Sequence, residues 1–495
     1  MITLYCIGHP FLYELECTLR IFYPGEKIEV TSDAEKTAEF AVTTQVKREE
    51  DKISLTVRAA LWGLNRTQTA VLPGSAADLD VERTLSTLLF TILSEHTGIH
   101  PPWGILTGVR PLRLCRRWKA DGLSEEEIHS RFEQKYIVRP EKAALVLETA
   151  QLQQAVLEQN LPDTYSLYVS IPFCPTRCLY CSFVSHAVEK AGKIIPEYIA
   201  RLCDELRYIA QIAQKAGMRL LSIYVGGGTP TSITPAQLEE MLGTIAESFD
   251  LSHLLEYTVE AGRPDTISRE KLLVLKKYNV DRISINPQTM QDDVLQKIGR
   301  RHTAGQVVES YTLARELGFS NINMDLIAGL PGDTAESFES TLDRTLELKP
   351  ENITLHTLTV KRSSTLRGRE DAFERSALDL QELLNTAEQR FRSGGYAPYY
   401  LYRQKGTVQN LENTGWTLPG KEGAYNIYSM EDVHTILGAG AGAVTKLCAG
   451  GNPKKRLFNF KYPYEYIAGF EEMLNRKAAI NEWRSRYGYA FQGTD

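Results

Sequence analysis

Three cysteines fall within eight residues of one another, Cys174, Cys178 and Cys181, in the run YVSIPFCPTRCLYCSF from Tyr168 to Phe183. Thiolates spaced C-x3-C-x2-C can wrap one corner of an iron–sulfur cubane, each binding a different iron. A closed cluster takes four ligands. Three leave one iron open to a non-protein ligand, much as catalytic zinc sites keep a vacant position. A structural zinc knuckle is the other chemistry these thiols allow, with His186 close enough in sequence to be a fourth ligand. The remaining five cysteines (Cys6, Cys17, Cys115, Cys203 and Cys448) are scattered singly and read as small buried hydrophobes.

Two further features could handle a ligand. Gly226-Gly227-Gly228-Thr229-Pro230-Thr231 follows the strand-like run LLSIYV, and three residues without side chains let the backbone approach a ligand closely. The run lacks the GxGxxG and GxxxxGK patterns, which disfavours conventional dinucleotide or P-loop binding. Asp325 lies inside the apolar run NMDLIAGL, where a charge is costly unless it is paired with a ligand or a nearby Arg.

The elements that must position these residues follow from the hydrophobic rhythm. From Tyr165, strand-like runs recur with helical segments between them: SLYVSI, LLSIYVG, EYTVEA, RISINP, INMDLI and NITLHTL. Six strands alternating with helices predict a parallel sheet with crossover connections, an incomplete (β/α)6 barrel of the α/β class within about 165–360. The chemistry-bearing residues all fall at the C-terminal ends of these strands, where parallel α/β folds place their active sites. Residues 1 to about 75 read as a small sheet with a helix near Tyr13–Phe22. A helix is predicted over Asp78–Thr97, with the turn-rich PPWGILTGVRP and more helices after it. NLPDTY is a plausible boundary, so the expected domains are an α+β accessory domain at 1–160, the partial barrel at 161–370 and a closing C-terminal segment at 371–495.

The chain of 495 residues is too long for one ordinary core, and 43% hydrophobic with 24% charged residues is the make-up of a soluble globular protein. A net charge of −6 gives no global case for nucleic acid, though it leaves room for a local basic pocket. No apolar run is long enough for a membrane span, and MITLYCIGHPFLYE lacks the features of a signal peptide, so a cytoplasmic protein is expected.

C-x3-C-x2-C after a strand, with GGGTP after the next, resembles the radical S-adenosylmethionine (SAM) superfamily over about 165–360 and more weakly to about 450. The resemblance implies a [4Fe-4S] cluster on Cys174, Cys178 and Cys181 whose open iron is chelated by the methionine part of SAM. One electron then cleaves the sulfonium C–S bond, and the resulting 5′-deoxyadenosyl radical abstracts hydrogen from substrate. It further implies that Gly227, Gly228 and Thr229 meet the methionine amino group. Glu260, Gln288, Arg300 and Asp325 match polar cofactor positions, and Tyr168, Tyr180, Thr359 and Val444 join the cofactor's surroundings. Tyr168 and Glu260 would stand nearest the chemistry. Carboxylates suit ribose hydroxyls and ammonium groups, and arginine suits a carboxylate.

YVxIPFC, GGGTPT, SINPQTM, IGRRHT and DLIAGLPGDT look like the oxygen-independent coproporphyrinogen III oxidase group. PWGILTGVRP, LHTLTVKR and LGAGAGAVTK further resemble its HemZ-type coproporphyrinogen dehydrogenases. Oxidative decarboxylation of two propionates of coproporphyrinogen III to vinyls, giving protoporphyrinogen IX, is then the implied reaction, with radical chemistry on another anionic substrate as an alternative because the cluster motif fixes the initiator and not the target. The implied partners are the tetrapyrrole substrate and an electron donor such as a flavodoxin or ferredoxin. Ser170 stands where the well-studied oxidases have His and Phe183 where they have a further Cys. CxYCxF is also the pattern of HemW-like haem chaperones, although the His-Asn-x-x-Tyr-Trp segment is missing and AYNIYS (Ala424, Tyr425, Asn426) takes its place. Four substrate carboxylates call for a basic lining, with Arg110, Arg113, Lys361, Arg362 and Arg403 as candidates.

Overall fold

The computed structural model describes residues 1–33, 38–108, 110–183, 185–359, 379–404, 407–449 and 452–487. The chain divides into two compact units, residues 1–148 with short stretches around Arg403 and Leu411, and most of the chain from Thr149 onward. Among the described residues no helix is long and apolar enough to cross a membrane.

The first unit is built on a five-stranded sheet of β1 (Ile2–Ile7), β2 (Ile28–Thr31), β3 (Ala41–Arg48), β4 (Lys52–Leu61) and β5 (Leu64–Pro73), in the order β2-β1-β3-β4-β5. β1 runs parallel to both its neighbours, and the helix Leu12–Phe22 makes the crossover from β1 to β2. In β4 the alternate residues Ile53, Leu55, Val57, Ala59 and Leu61 are buried, the period of two that sets one sheet face against the core. The predicted helix Asp78–Thr97 forms with those bounds, closed by Gly98 in the left-handed conformation, and the helices Pro111–Ala120, Glu125–Tyr136 and Pro140–Leu152 follow.

The second unit holds an eleven-stranded sheet. Its centre is β6 (Thr164–Ile171), β9 (Arg219–Gly227), β10 (Glu256–Glu260), β11 (Arg282–Ser284), β12 (Ile322–Ala328) and β13 (Asn352–Thr357). These are the six predicted strands. They lie side by side in chain order and all parallel. Between β6 and β9 come the two-residue strands β7 (Phe173–Cys174) and β8 (His186–Ala187), which pair only with each other. The residues after β13 extend the sheet at both edges. β14 (Ala397–Arg403) and β15 (Glu412–Thr417) continue beyond β13, while β16 (Thr435–Ala439), β17 (Val444–Ala449) and β18 (Asn452–Phe458) continue beyond β6.

Every second residue of the central strands is apolar: Leu167, Val169 and Ile171 on β6, Ile223 and Val225 on β9, Val259 on β10, Ile283 on β11, Met324 on β12. All join one core cluster with Tyr198, Ile199, Leu202 and Leu206 of the helix Ile195–Lys215. The return helices begin at side-chain caps. Thr234 with Gln237, Thr303 with Gln306 and Thr334 with Ser337 each satisfy backbone donors reciprocally, which fixes where strand-end loops stop. Most of the remaining strand positions are polar.

Candidate active site

The start of the cysteine loop is held on two sides. Phe173 and Cys174 pair with His186 and Ala187. On the other side, the Gly228 N–H donates to the Ile171 carbonyl at 2.8 Å and the Thr229 N–H to the Phe173 carbonyl at 2.7 Å. A Cβ on Gly228 would lie 2.6 Å from the Phe173 carbonyl oxygen, and one on Gly227 2.8 Å from Ser170 Oγ. The glycines therefore serve first to bring the end of β9 against the strap that carries the cysteines, and Gly227 sits at φ +105°, where side chains are strained.

Two of the three thiols have a polar partner within 4 Å. The Thr229 hydroxyl donates to Cys174 Sγ at 3.5 Å, and Arg263 Nη1 lies 3.7 Å from Cys178 Sγ. Arg263 is itself buried, and Asp265 holds it at 2.8 Å. Arg300 is buried too. Its Nε and Nη2 donate to the Tyr180 hydroxyl at 3.3 and 3.0 Å, and its Nη1 donates to the Asn286 carbonyl at 2.8 Å. Burial alone would weaken its charge, but Tyr180 and Cys178 more than offset that and hold the guanidinium protonated. Leu179 and Tyr180 anchor the loop by packing on a small cluster of Val294, Leu295, Ile298, Ile327, Leu330 and Leu358.

Burial pushes the thiols of Cys174 and Cys181 up, so their thiolates need a compensating cation. Among the described residues no three His, Cys, Asp or Glu side chains already close on one metal ion. The three sulfurs nonetheless stay within electrostatic reach of one another. Soft thiols flanked by two guanidiniums suit an anionic iron–sulfur group. His186 turns its ring edge-on to Tyr462 and Tyr464 at 6.1 and 6.2 Å.

The polar faces of the central strands converge inside the curve of the sheet. Tyr168 stands opposite Tyr224 in the β6–β9 ladder, and their rings stack with that of Tyr425, which lies 4.4 Å from Tyr224. The Tyr224 hydroxyl donates to Glu260 Oε1 at 2.5 Å. Burial pushes the Glu260 carboxyl up to about 7; the tyrosine hydrogen bond opposes that and the charge of Asp325 adds to it. Asp325 accepts from Asn286 and Asn323 at 2.8 Å each, with His356 Nε2 at 3.9 Å. Burial would raise this carboxyl too, but His356 and the hydrogen-bonded side chains prevail and hold it below its ordinary value. Its partners are thus amides and an imidazole rather than an Arg. Gln288 sits at φ +68°, fixed there because its N–H donates to the Asp325 carbonyl and its carbonyl accepts from the Ile327 N–H. Two carboxyls of opposite tendency, Glu260 and Asp325, therefore share one polar interior.

Residues 168–345 match the Radical SAM superfamily. The chain is 36% identical over 472 residues to the oxygen-independent coproporphyrinogen-III oxidase-like protein HemZ of Bacillus subtilis, covering 94% of each. The chain belongs to the coproporphyrinogen oxidase-like group of the radical SAM superfamily. It is also 34% identical over 324 residues to the heme chaperone HemW of Lactococcus lactis, covering 64% of this chain and 79% of that one. In fold it is similar to the coproporphyrinogen III oxidase HemN of Escherichia coli, a radical SAM enzyme, with TM-score 0.51 and 23% identity over 66% of this chain and 73% of that one. Membership of the superfamily implies a [4Fe-4S] cluster and SAM, and the likeness to HemN supports the partial-barrel architecture.

The structure brings Cys174, Cys178, Tyr180, Thr229 and Arg300 to the cysteine loop and Tyr168, Glu260 and Asp325 to the polar interior, with Gln288 bridging to β12. Thr359 lies past β13, its hydroxyl 3.1 Å from that of Thr407, and Val444 opens β17 opposite Phe458. Arg110 belongs to the first unit, where with Arg83, Arg113, Glu14 and Glu82 it lines a cavity of about 380 Å³. Arg403, in the same unit, donates to the carbonyls of Leu106, Gly108 and Asn410 and stacks over Trp103 at 5.2 Å. Lys361 and Arg362 lie outside the described residues. Arg263, Tyr224, Asn286, His356 and Tyr425 were not among the residues singled out from sequence. The alternation of polar with apolar residues in LLSIYVGG, RISIN and NITLHT is the signal that points to three of them, Tyr224, Asn286 and His356.

Proposed function

We propose that this chain catalyses the oxygen-independent oxidative decarboxylation of coproporphyrinogen III, turning two propionates into vinyls to give protoporphyrinogen IX. The end-to-end match carries the reading, since the HemZ protein corresponds over 94% of both chains, first unit included, whereas the HemW match leaves about a third of this chain uncovered. On this reading Cys174, Cys178 and Cys181 hold the cluster, and Gly227, Gly228, Thr229, Glu260, Gln288, Arg300 and Asp325 receive SAM, with Tyr168, Tyr180, Thr359 and Val444 around it. When bound, these two groups supply one-electron cleavage of a sulfonium bond and removal of a hydrogen atom from the propionate β-carbon. Loss of CO2 and of one electron to an acceptor then completes each vinyl.

The chain's own residues do the rest. Arg263 and Arg300 place positive charge beside Cys178 in a buried loop, where it would offset an anionic cluster. Asp325, held ionised, accepts from hydroxyl or ammonium donors, and Glu260, poised near neutrality, ionises when a cation arrives beside it. Stacked Tyr168, Tyr224 and Tyr425 narrow the interior and exclude water. Arg110, Lys361 and Arg362 are our candidates for the substrate carboxylates, in a cytoplasmic protein that takes its electrons from a reduced carrier.

Delivery of haem is the second reading, favoured by the 34% identity to a heme chaperone and by the shared CxYCxF pattern. An anaerobic assay with reductant, SAM and coproporphyrinogen III separates the two, with Cys178→Ala as control. Vinyl product that vanishes in the control supports the oxidase. Deoxyadenosine without vinyl product, and haem retained through purification, would shift the assignment to the chaperone.

A further inference from the structure

The sequence around the cysteine loop emerges at a surface whose charge opposes that of the whole chain. Phe183, two residues past Cys181, is 66% exposed, and Tyr464 is 53% exposed. Tyr462 and Tyr464 stack on each other at 5.6 Å, and both rings meet His186, which neighbours Ala187, the ladder partner of Cys174. Basic side chains belong to the same segments. Arg177 is exposed and lies within electrostatic reach of both His186 and Cys181. Lys461 is exposed with its Nζ 5.6 Å from the Tyr462 ring, and Lys190 and Arg301 are exposed, Arg301 lying 3.5 Å from Glu189, the neighbour of Lys190 in the short helix after Ala187.

Whole-chain charge is −6, so an acidic protein is repelled on average and must find a locally positive face to dock. Exposed aromatic rings with basic side chains in the same segments are the composition of a docking surface rather than of ordinary solvated surface. Its position decides the partner, because it adjoins the thiols on which the cluster is proposed to sit, and an electron has to enter there.

We propose that the surface formed by Arg177, Phe183, Arg301, Lys461, Tyr462 and Tyr464 is the docking face for an acidic one-electron carrier protein. The carrier is oxidised by one electron and the cluster is reduced by that electron, with no atom or proton exchanged. This rests on the cluster assignment of the proposed function, and the test keeps the two apart. Binding of a flavodoxin is measured first on the chain without cluster, at low and high salt, for the parent and for Arg301→Glu/Lys461→Glu. Reduction of the loaded chain is then followed by loss of its visible absorbance, with flavodoxin hydroquinone or with dithionite.

The expected result is salt-sensitive binding weakened at least tenfold by the double variant. Reduction by flavodoxin should slow to match while reduction by dithionite is unchanged. Equal binding and equal flavodoxin rates in parent and variant would overturn the proposal. So would a parent dimer that the variant dissociates, since the face would then belong to a second copy. Failure of dithionite to reduce anything would count against the cluster assignment, while the cluster-free binding would still judge the surface.

Discussion

At the scale of single residues, the pair Glu260 and Asp325 shows how one polar interior sets two carboxyls apart. Glu260 loses solvent, which outweighs the one hydrogen bond it gains from Tyr224, so with the charge of Asp325 near by its protonated form is favoured and its pKa rises from 4.5 to about 7. The folded pKa lies above the unfolded one. Its contribution to stability is therefore complete below about 4.5 and is lost as pH rises through about 7. Glu260→Gln should match the parent's melting temperature at pH 4.5 and exceed it by about 2 °C at pH 8 in cofactor-free protein, and it should also lose SAM affinity. Calorimetry across that range checks it; curves that stay parallel would mean the carboxyl is not carrying the buried charge. The cysteines and Asp325 could be singled out in sequence because their chemistry shows in local spacing or in a charge set within an apolar run, whereas Glu260 came only from the family resemblance. Arg263 was not, because its significance lies in ending 3.7 Å from Cys178, 85 residues earlier in the chain, and only strand register brings them together.

At the scale of elements, the close approach of β9 to the cysteine strap depends on side chains that are absent. A methyl group on Gly228 meets three backbone atoms within 2.9 Å, none of which can rotate away. Gly228→Ala should therefore displace the loop, and iron per chain after reconstitution should fall severalfold while far-ultraviolet dichroism is kept. Full iron loading would show that the strap yields. Behind the same strap, Glu205 is fully buried, accepting from the Gly440 N–H, the Tyr466 hydroxyl and Asn459, with Lys477 at 3.0 Å. It joins the helix Ile195–Lys215 to the loop after β16 and to the helix Phe470–Lys477. Lys477→Met leaves a buried carboxylate unpaired and should cost about 3 to 5 kcal/mol in urea unfolding, part of it recovered by adding Glu205→Gln. A loss below about 1 kcal/mol would mean that water reaches the site. The six central strands could be read from sequence because apolar residues alternate there and helices separate them. β16 could not, since TILGA is buried at every position and carries no period.

At the scale of the whole molecule, the chain returns to the first unit after completing most of the second. Arg403 is the residue this return contributes. It is 4% exposed, spends its guanidinium on the carbonyls of Leu106, Gly108 and Asn410, and covers Trp103, which is fully buried. No periodicity in GYAPYYLYRQK announces such a contact, because Trp103, Leu106 and Gly108 lie almost 300 residues upstream. Sequence alone offered Arg403 as a ligand for substrate carboxylates, and the geometry makes it a clamp on the PWGILTG segment. The two roles predict different outcomes. A clamp leaves three carbonyls, that of Leu106 buried, short of a donor and a tryptophan uncovered when removed, so Arg403→Ala should destabilise the first unit by about 2 kcal/mol. Three of the five tryptophans, Trp62, Trp103 and Trp118, report on that unit, and Trp416 and Trp483 on the other. With a core in each unit, unfolding need not be two-state. Tryptophan fluorescence in urea should show an early transition moved to lower denaturant in the variant, with the later transition and the iron content unchanged. If both transitions stay in place while the KM for coproporphyrinogen III rises, Arg403 is a substrate ligand and the clamp is incidental.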